Sequence, residues 1–230
     1  MKTKPLALLM ALLGILIVSC TEEEDLPSDP CATLELPYQS FAEESATFDV
    51  YRGVNRLVFV DEMGEERRYD LVRYEKFSQD YDVSRSCCDR EKRMRYPGDR
   101  IIAQFKGADS ITIEFDHTIQ LLEEETPAAA ENLVDVLTLS VYFQFASTRA
   151  GYAFSQLITS NRGGAEPNQQ RAPEPTYTVK EKTFEEVYFP WQNPIFILYP
   201  LHFNKTQGIL DFRILSYEEG LRHWILDRLE

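Results

Sequence analysis

Leu133-Val134-Asp135-Val136-Leu137-Thr138-Leu139-Ser140-Val141-Tyr142-Phe143-Gln144-Phe145 carries the pattern that decides the fold. Leu137, Leu139, Val141, Phe143 and Phe145 fall on one side of it, and Thr138, Ser140 and Gln144 on the other. A period of two belongs to a pleated strand, whose successive side chains point to opposite faces. Asp135, Ser140 and Gln144 also interrupt the apolar run, so it falls short of the roughly 20 apolar residues of a membrane-spanning helix. Just upstream, Ile101 to Phe105 and Ser110 to Phe115 flank Lys106-Gly107-Ala108-Asp109, and Ile111, Ile113 and Phe115 share one face opposite Thr112 and Glu114. Two such runs across a short glycine-bearing linker predict a β-hairpin.

The same reading extends in both directions. Leu57 to Val60 and a run through Tyr69, Leu71, Val72, Tyr74 and Phe77 flank Asp61-Glu62-Met63-Gly64-Glu65, a second hairpin. Ala46 to Tyr51 is rich in β-formers and predicts a further strand. Downstream, strands are expected at Tyr152 to Ile158, at Tyr177 to Val179 with Phe184 to Phe189, and at Ile195 to Tyr199. Leu201 to Phe203, Ile209 to Ile214 and Trp224 to Leu226 close the series. About ten short strands joined by hairpins predict an all-β protein, either an antiparallel β-sandwich or an open, up-and-down β-barrel.

Three stretches depart from the pattern. Tyr81 to Asp99 is polar and ends in Pro97-Gly98, which predicts a loop or ragged edge. Leu121 to Asn132 leans towards helix, but Pro127 limits it to a short turn. Asn161 to Pro175, with Gly163-Gly164 and three prolines, is expected to be the longest loop of the body.

Of 230 residues, 43% are hydrophobic and 12% aromatic, enough for a substantial core. The 24 basic residues face 38 acidic ones. Such a balance excludes nucleic acid or an anionic lipid surface as the main partner, because both repel a negative protein.

The amino end has its own organisation. Met1-Lys2-Thr3-Lys4 is basic, Leu6 to Val18 is apolar, and Ser19-Cys20 is followed by Thr21-Glu22-Glu23-Glu24-Asp25. A basic start, a short apolar run and a small residue describe a secretory signal. Ile17-Val18-Ser19-Cys20 resembles the lipobox of bacterial lipoproteins. The resemblance implies cleavage before Cys20 and acylation there, so that residues 1–19 are the signal peptide, 20–31 a lipidated, acidic tether and 32–230 a single antiparallel β domain. Loss of Lys2 and Lys4 would take the net charge from −14 to about −16. The acidic run after Cys20 is similar to the surface-export signal of Bacteroidota lipoproteins, which implies an outer-membrane lipoprotein at the cell surface, with the periplasmic face as the alternative.

Cys31, Cys87 and Cys88 are the other cysteines. Export would put them in a disulfide-permissive compartment, where an odd set of three suggests one bridge and one spare thiol. Cys31 with Cys87 or Cys88 would fasten the end of the tether to the folded body. No histidine lies near them and no C-x-x-C occurs, so neither a metal site nor a cofactor is expected.

Catalytic signatures are lacking. The chain has no G-x-S-x-G and no H-E-x-x-H. Asp116-His117 reads as an acid-oriented base without a nucleophile, and His117, His202 and His223 are each expected to be a structural or surface histidine. Arg85, Arg90, Lys92, Arg93, Arg95 and Arg100 form one basic run, with Arg93 and Arg95 as candidates to grip an anion. Trp191, between Pro190 and Pro194 and among Tyr188, Phe189, Phe196 and Tyr199, is the candidate for an exposed protein- or glycan-binding aromatic. Asp109-Ser110-Ile111 resembles the O-glycosylation pattern of Bacteroidota.

Phe184-x-x-Val187-Tyr188, Phe203-Asn204-Lys205-x-x-Gly208-Ile209-Leu210-x-Phe212 and a late Trp224 resemble the carboxyl end of small Bacteroidota lipoproteins, and Phe59-x-Asp61-x-x-Gly64 is similar to their first hairpin. The expectation is therefore a non-enzymatic, lipid-anchored envelope protein with a binding or structural role and a protein or glycan partner. A lipocalin-like carrier of an apolar ligand is the first alternative, and a hydrolase of extracellular polymers the second.

Overall fold

The computed structural model describes residues 33–87, 90–108, 110–121, 133–145, 148–161, 172–189, 201–216 and 220–230. Twelve strands and one short helix form within them. Two compact units result, residues 1–34 with 84–93 and residues 35–83 with 94–230. In the first, the described residues are Leu34 with its neighbour 33 and the strand ends 84–87 and 90–93.

The second unit is built on one antiparallel sheet. Strands β2 (Arg56–Val60), β3 (Glu66–Cys87), β4 (Arg90–Gly107), β5 (Ile111–Leu121), β6 (Leu133–Phe145) and β7 (Thr148–Asn161) pair in chain order. Strands β10 (Leu201–Asn204), β11 (Gly208–Ser216) and β12 (Gly220–Leu229) do likewise, and β12 pairs with β2. The order is thus up-and-down, with β7 and β10 as its two ends, and the sheet nearly closes on itself as a barrel. Strand β1 (Leu34–Glu35) joins β4, while β8 (Glu174–Val179) and β9 (Lys182–Val187) make a separate two-stranded sheet. Among the described residues no helix is long and apolar enough to cross a membrane.

The alternation read in Leu133 to Phe145 sets the interior. Register places Phe143, Val141, Leu139 and Leu137 opposite Ile111, Ile113, Phe115 and His117. Those of them whose burial is described are 0–1% exposed. Two hairpin turns are closed by their own side chains. At β2–β3, Asp61 accepts the Met63 and Glu65 N–H groups at 2.8 Å, and Gly64 takes φ +82°. Burial works to raise the Asp61 carboxyl, but those N–H groups and Arg222, at 2.5 Å, hold it below the ordinary range. At β10–β11, Asn204 Oδ1 accepts the N–H groups of Thr206 at 3.2 Å and Gln207 at 2.7 Å, and Gly208 takes φ +78°.

Two expectations are corrected. Ala46 to Tyr51 is not a strand: α1 (Glu43–Ala46) ends there and hydrogen-bonded turns follow, Phe48 N–H to Ser45 O at 3.0 Å and Val54 N–H to Tyr51 O at 3.2 Å. The β-formers are apolar for another reason, since Phe48 and Tyr51, three residues apart, both enter the barrel interior. Tyr81 to Asp99 is not a loop, because β3 and β4 run through all of it except the undescribed pair 88–89. What sustains these polar strands is pairing of side chains. Tyr81 stacks on Tyr96 with centroids 5.0 Å apart, and Arg95 reaches Asp82 at 3.1 Å. Gly98 survives because a Cβ there would come within 3.2 Å of the Tyr81 ring and 3.3 Å of Gln39 O. The helix-leaning stretch after Leu121, most of the loop from Asn161 and the Ile195 to Tyr199 strand lie outside the described residues.

Candidate functional site

Strands β10 to β12 carry a polar cluster on the face that meets the β8–β9 hairpin. His202 and Asp211 are direct partners across β10–β11, and His223 lies two residues from Ile225, the β12 partner of Asp211. Asp211 is 1% exposed and sits between the two imidazoles. Its Oδ1 bonds His202 Nδ1, its Oδ2 bonds His223 Nε2 at 2.5 Å, and the Tyr177 hydroxyl donates to Oδ2 at 3.0 Å. A carboxylate only accepts, so the nitrogens facing it carry the protons: Nδ1–H on His202 and Nε2–H on His223. Burial acts to raise the Asp211 carboxyl, and the hydrogen bonds from His202 and then His223 outweigh it, holding the group ionised below its ordinary range. Burial together with Asp211 pushes the Tyr177 phenol upwards. The rings of Tyr177 and Phe189 close over His202 at 4.5 and 4.6 Å.

Such an arrangement orients imidazoles, as catalytic dyads do, but its surroundings are those of a tie. Among the described residues no serine or cysteine reaches either histidine, and no three His, Cys, Asp or Glu side chains are placed to hold a metal ion. Lys180 Nζ to Asp61 O at 3.2 Å and Lys182 Nζ to Leu226 O at 2.9 Å and Asp227 at 2.7 Å fasten the same hairpin. Two of the three histidines are thus buried structural groups that serve this junction.

The third seats a segment inside the barrel. His117 is fully buried, stacked beneath Phe41 at 4.2 Å and 12°, with Phe48 and Phe115 at 6.2 and 6.3 Å. Its Nε2 bonds Thr159 Oγ1 at 2.8 Å, which also bonds Ser45 Oγ at 2.8 Å and donates to Asp135 O at 3.1 Å. Burial pushes the imidazole down to about 3, Lys76 adding to the effect and Asp99 opposing it. Asp116 takes no part. The pleat turns it to the other face, where Arg100 grips it with two bonds of 2.9 and 2.6 Å. The Asp116-His117 pair is therefore not a dyad.

The remaining candidates divide. Arg93 and Arg95 are exposed on β4. Arg95 is matched to Asp82 and Glu35, and Arg100 to Asp116 and Gln79, so this part of the basic run is internally balanced. Cys87 ends β3, whereas Cys20, Cys31, Cys88 and Trp191 lie outside the described residues, as do Phe196 and Tyr199. Ser110 is exposed at the β4–β5 turn with φ +64°. A polar cleft of about 350 Å³ opens between β9 and the β10–β11 turn, lined by Glu185, Glu186, Asn204, Lys205, Thr206 and Gln207. Sequence reading missed both this cleft and the Asp211 cluster, because each unites residues from separate hairpins.

Comparison with family models, with curated proteins and with solved structures returns no match. The architecture itself, a nearly closed antiparallel barrel filled from within by its own amino-terminal segment, is the class that the fold defines.

Proposed function

We propose that the chain is a lipid-anchored cell-envelope lipoprotein whose β domain is a non-catalytic binding or structural module, held at the outer membrane by acyl chains on Cys20 and directed to a protein or glycan partner outside it. The observation that carries the non-carrier part is the filling of the barrel. Phe41, Phe48 and Tyr51 occupy the interior, against His117, Phe203, Phe105 and Phe115, where a lipocalin-like protein would keep space for an apolar ligand. Recognition is then left to the exterior, where the polar cleft beside Asn204 and Gln207 has the hydrogen-bonding groups that a glycan or peptide engages. The anchor reading rests on Ile17-Val18-Ser19-Cys20. From Cys20 to β1 at Leu34 the chain can reach about 45 Å when extended, enough to hold the domain clear of the lipid headgroups. A bridge from Cys31 to Cys87 or Cys88 would shorten that leash.

Metabolic labelling with palmitate tests the anchor: the wild type takes up label and Cys20→Ala does not, and labelling of the variant would overturn it. Protease treatment of intact cells then separates the cell surface from the periplasmic face. Titration with a fluorescent fatty acid tests the rest. No saturable uptake at neutral pH is expected, and one-to-one binding would return the carrier reading to first place.

A further inference from the structure

We infer that the Phe41–Phe48 segment is an acid-releasable plug, which leaves the barrel when His117 takes up a proton while Tyr51 and the strands around it stay in place. The geometry is that of a polar seat. Inside a barrel of apolar side chains, β5 to β7 present three polar groups, His117, Asp135 and Thr159, all buried. The plug satisfies two of them, through Ala42 N–H to Asp135 Oδ2 at 2.8 Å and through Ser45 Oγ to Thr159 Oγ1 at 2.8 Å. His117 is the exception. Thr159 spends its only proton on Asp135 O, so its oxygen accepts from His117 Nε2–H, and the proton of the neutral ring is thereby assigned to Nε2. Nδ1 is left as a bare acceptor with no partner among the described residues, under the face of Phe41.

A second proton must go on Nδ1, where it would meet aromatic rings rather than an acceptor. The charged groups around the site do not rescue it. Asp135 on β6 is committed to Ala42 N–H, and Asp99 on β4 to Phe41 N–H at 3.0 Å and the Tyr38 hydroxyl. Lys76 on β3 opposes the added charge, and Lys205, from the β10–β11 turn, sits 4.7 Å over Phe48 on the far side of the plug. Glu43 and Glu44 are exposed on α1. Burial of an unpaired cation is costly, so each step towards protonation of His117 shifts the balance towards the withdrawn segment. The segment is short, since α1 is one turn long, and hydrogen bonds hold it at Phe41 N–H to Asp99, Ala42 N–H to Asp135 and Ser45 Oγ to Thr159, while Tyr51 beyond it stays bonded to Ile209 N–H.

The sign follows from linkage. His117 binds its proton less readily with the plug in than with the plug out. The plugged state is therefore favoured fully above the ordinary histidine value and is lost as pH falls. With the ring at about 3 when plugged and an ordinary 6.5 when open, the ratio of open to plugged molecules rises roughly tenfold per pH unit in between, or about 200-fold from pH 7 to pH 4. Hydrogen exchange on the full chain, corrected for the intrinsic pH dependence, reads this directly. In the wild type, protection of the Ala46 and Phe48 amides should fall about 200-fold over that range while β5–β6 amides keep theirs. His117→Gln, which retains a donor for Thr159 but does not titrate, should flatten the fall, and Asp135→Asn should not. An equal fall in His117→Gln, or loss of plug and strand protection together, overturns the inference. If His117→Gln does not fold, the wild-type imidazole decides the matter by NMR: titration of His117 near 6.5 with the plug still protected refutes it.

Discussion

Gly208→Ala should be among the most damaging single-methyl changes in the protein. Gly208 follows the β10–β11 turn at φ +78°, a conformation that costs an L-residue about 1–2 kcal/mol. The larger effect is steric. A Cβ at this position would lie 2.3 Å from Tyr51 Oη, 2.4 Å from Cζ and 2.7 Å from Cε1. Tyr51 cannot step aside, being 1% exposed and boxed edge-to-face by Phe105 and Phe115 at 5.1 and 5.4 Å. Moving it adds about 1–3 kcal/mol of overpacking. It also breaks the 2.8 Å bond by which Ile209 N–H donates to Tyr51 Oη, about 1–3 kcal/mol more for a buried, unpaired N–H. The sum is roughly 3–8 kcal/mol, a large part of a typical domain's stability. Urea denaturation at constant slope measures it, and a double-mutant cycle isolates its cause. In a Tyr51→Ala background the clash is gone and Gly208→Ala should cost only the left-handed term, about 1–2 kcal/mol. Gly64→Ala, at φ +82° with nothing within 4 Å of the new Cβ, is the control and should cost the same small amount. Equal costs for Gly208→Ala in both backgrounds, or a cost no greater than that of Gly64→Ala, would refute the reasoning.

Asp211→Asn should destabilise the protein by about 2–4 kcal/mol, because two imidazoles and the Tyr177 hydroxyl lose a charged acceptor. The deficit should shrink as pH drops below the ordinary aspartate range. The Asp211 carboxyl lies below its unfolded value when folded, so its contribution is full above that value and disappears as pH falls through the folded one; a deficit independent of pH down to pH 2 would contradict this. Replacing Arg100 and Asp116 together by Met and Leu should change stability by no more than about 1 kcal/mol, since both are partly solvated, at 25% and 21% exposure. A much larger loss in thermal unfolding would show that the pair does more than balance charge. Peptide mapping without reduction, on protein taken from the envelope, should find Cys31 joined to Cys87 or Cys88 with one thiol left over, and three free thiols would rule the bridge out.

Period-two alternation carried most of the fold. The hairpins at Asp61 to Glu65, between Gly107 and Ile111, at Lys180-Glu181 and at Asn204 to Gly208 all form where turn residues separate β-forming runs. The motifs Phe59-x-Asp61-x-x-Gly64 and Asn204-Lys205-x-x-Gly208 owe their residue types to backbone demands, a side-chain oxygen that caps local N–H groups and a glycine at positive φ. Where the alternation misled, the cause lay beyond the segment. Tyr81 to Asp99 reads as polar, yet stays extended because Met94, Tyr96 and Gly98 alternate as its buried side and Arg95 finds Asp82 on the neighbouring strand. Ala46 to Tyr51 has strand composition, but its aromatics fill the barrel from inside rather than join its wall.

Local chemistry was legible because a turn, a strand's two faces and a lipobox are each written within a few consecutive residues. That holds for the antiparallel all-β class and for most strand positions. Tertiary structure alone decided the rest. It set β12 beside β2, so that the sheet nearly closes, and it turned Asp116 to one face and His117 to the other. It also drew Asp211, His202, His223 and Tyr177 together from four strands. The physical reason is that a buried polar group is tolerable only where partners converge on it, and those partners lie 9 to 34 residues apart in the chain. No window of sequence contains them at once.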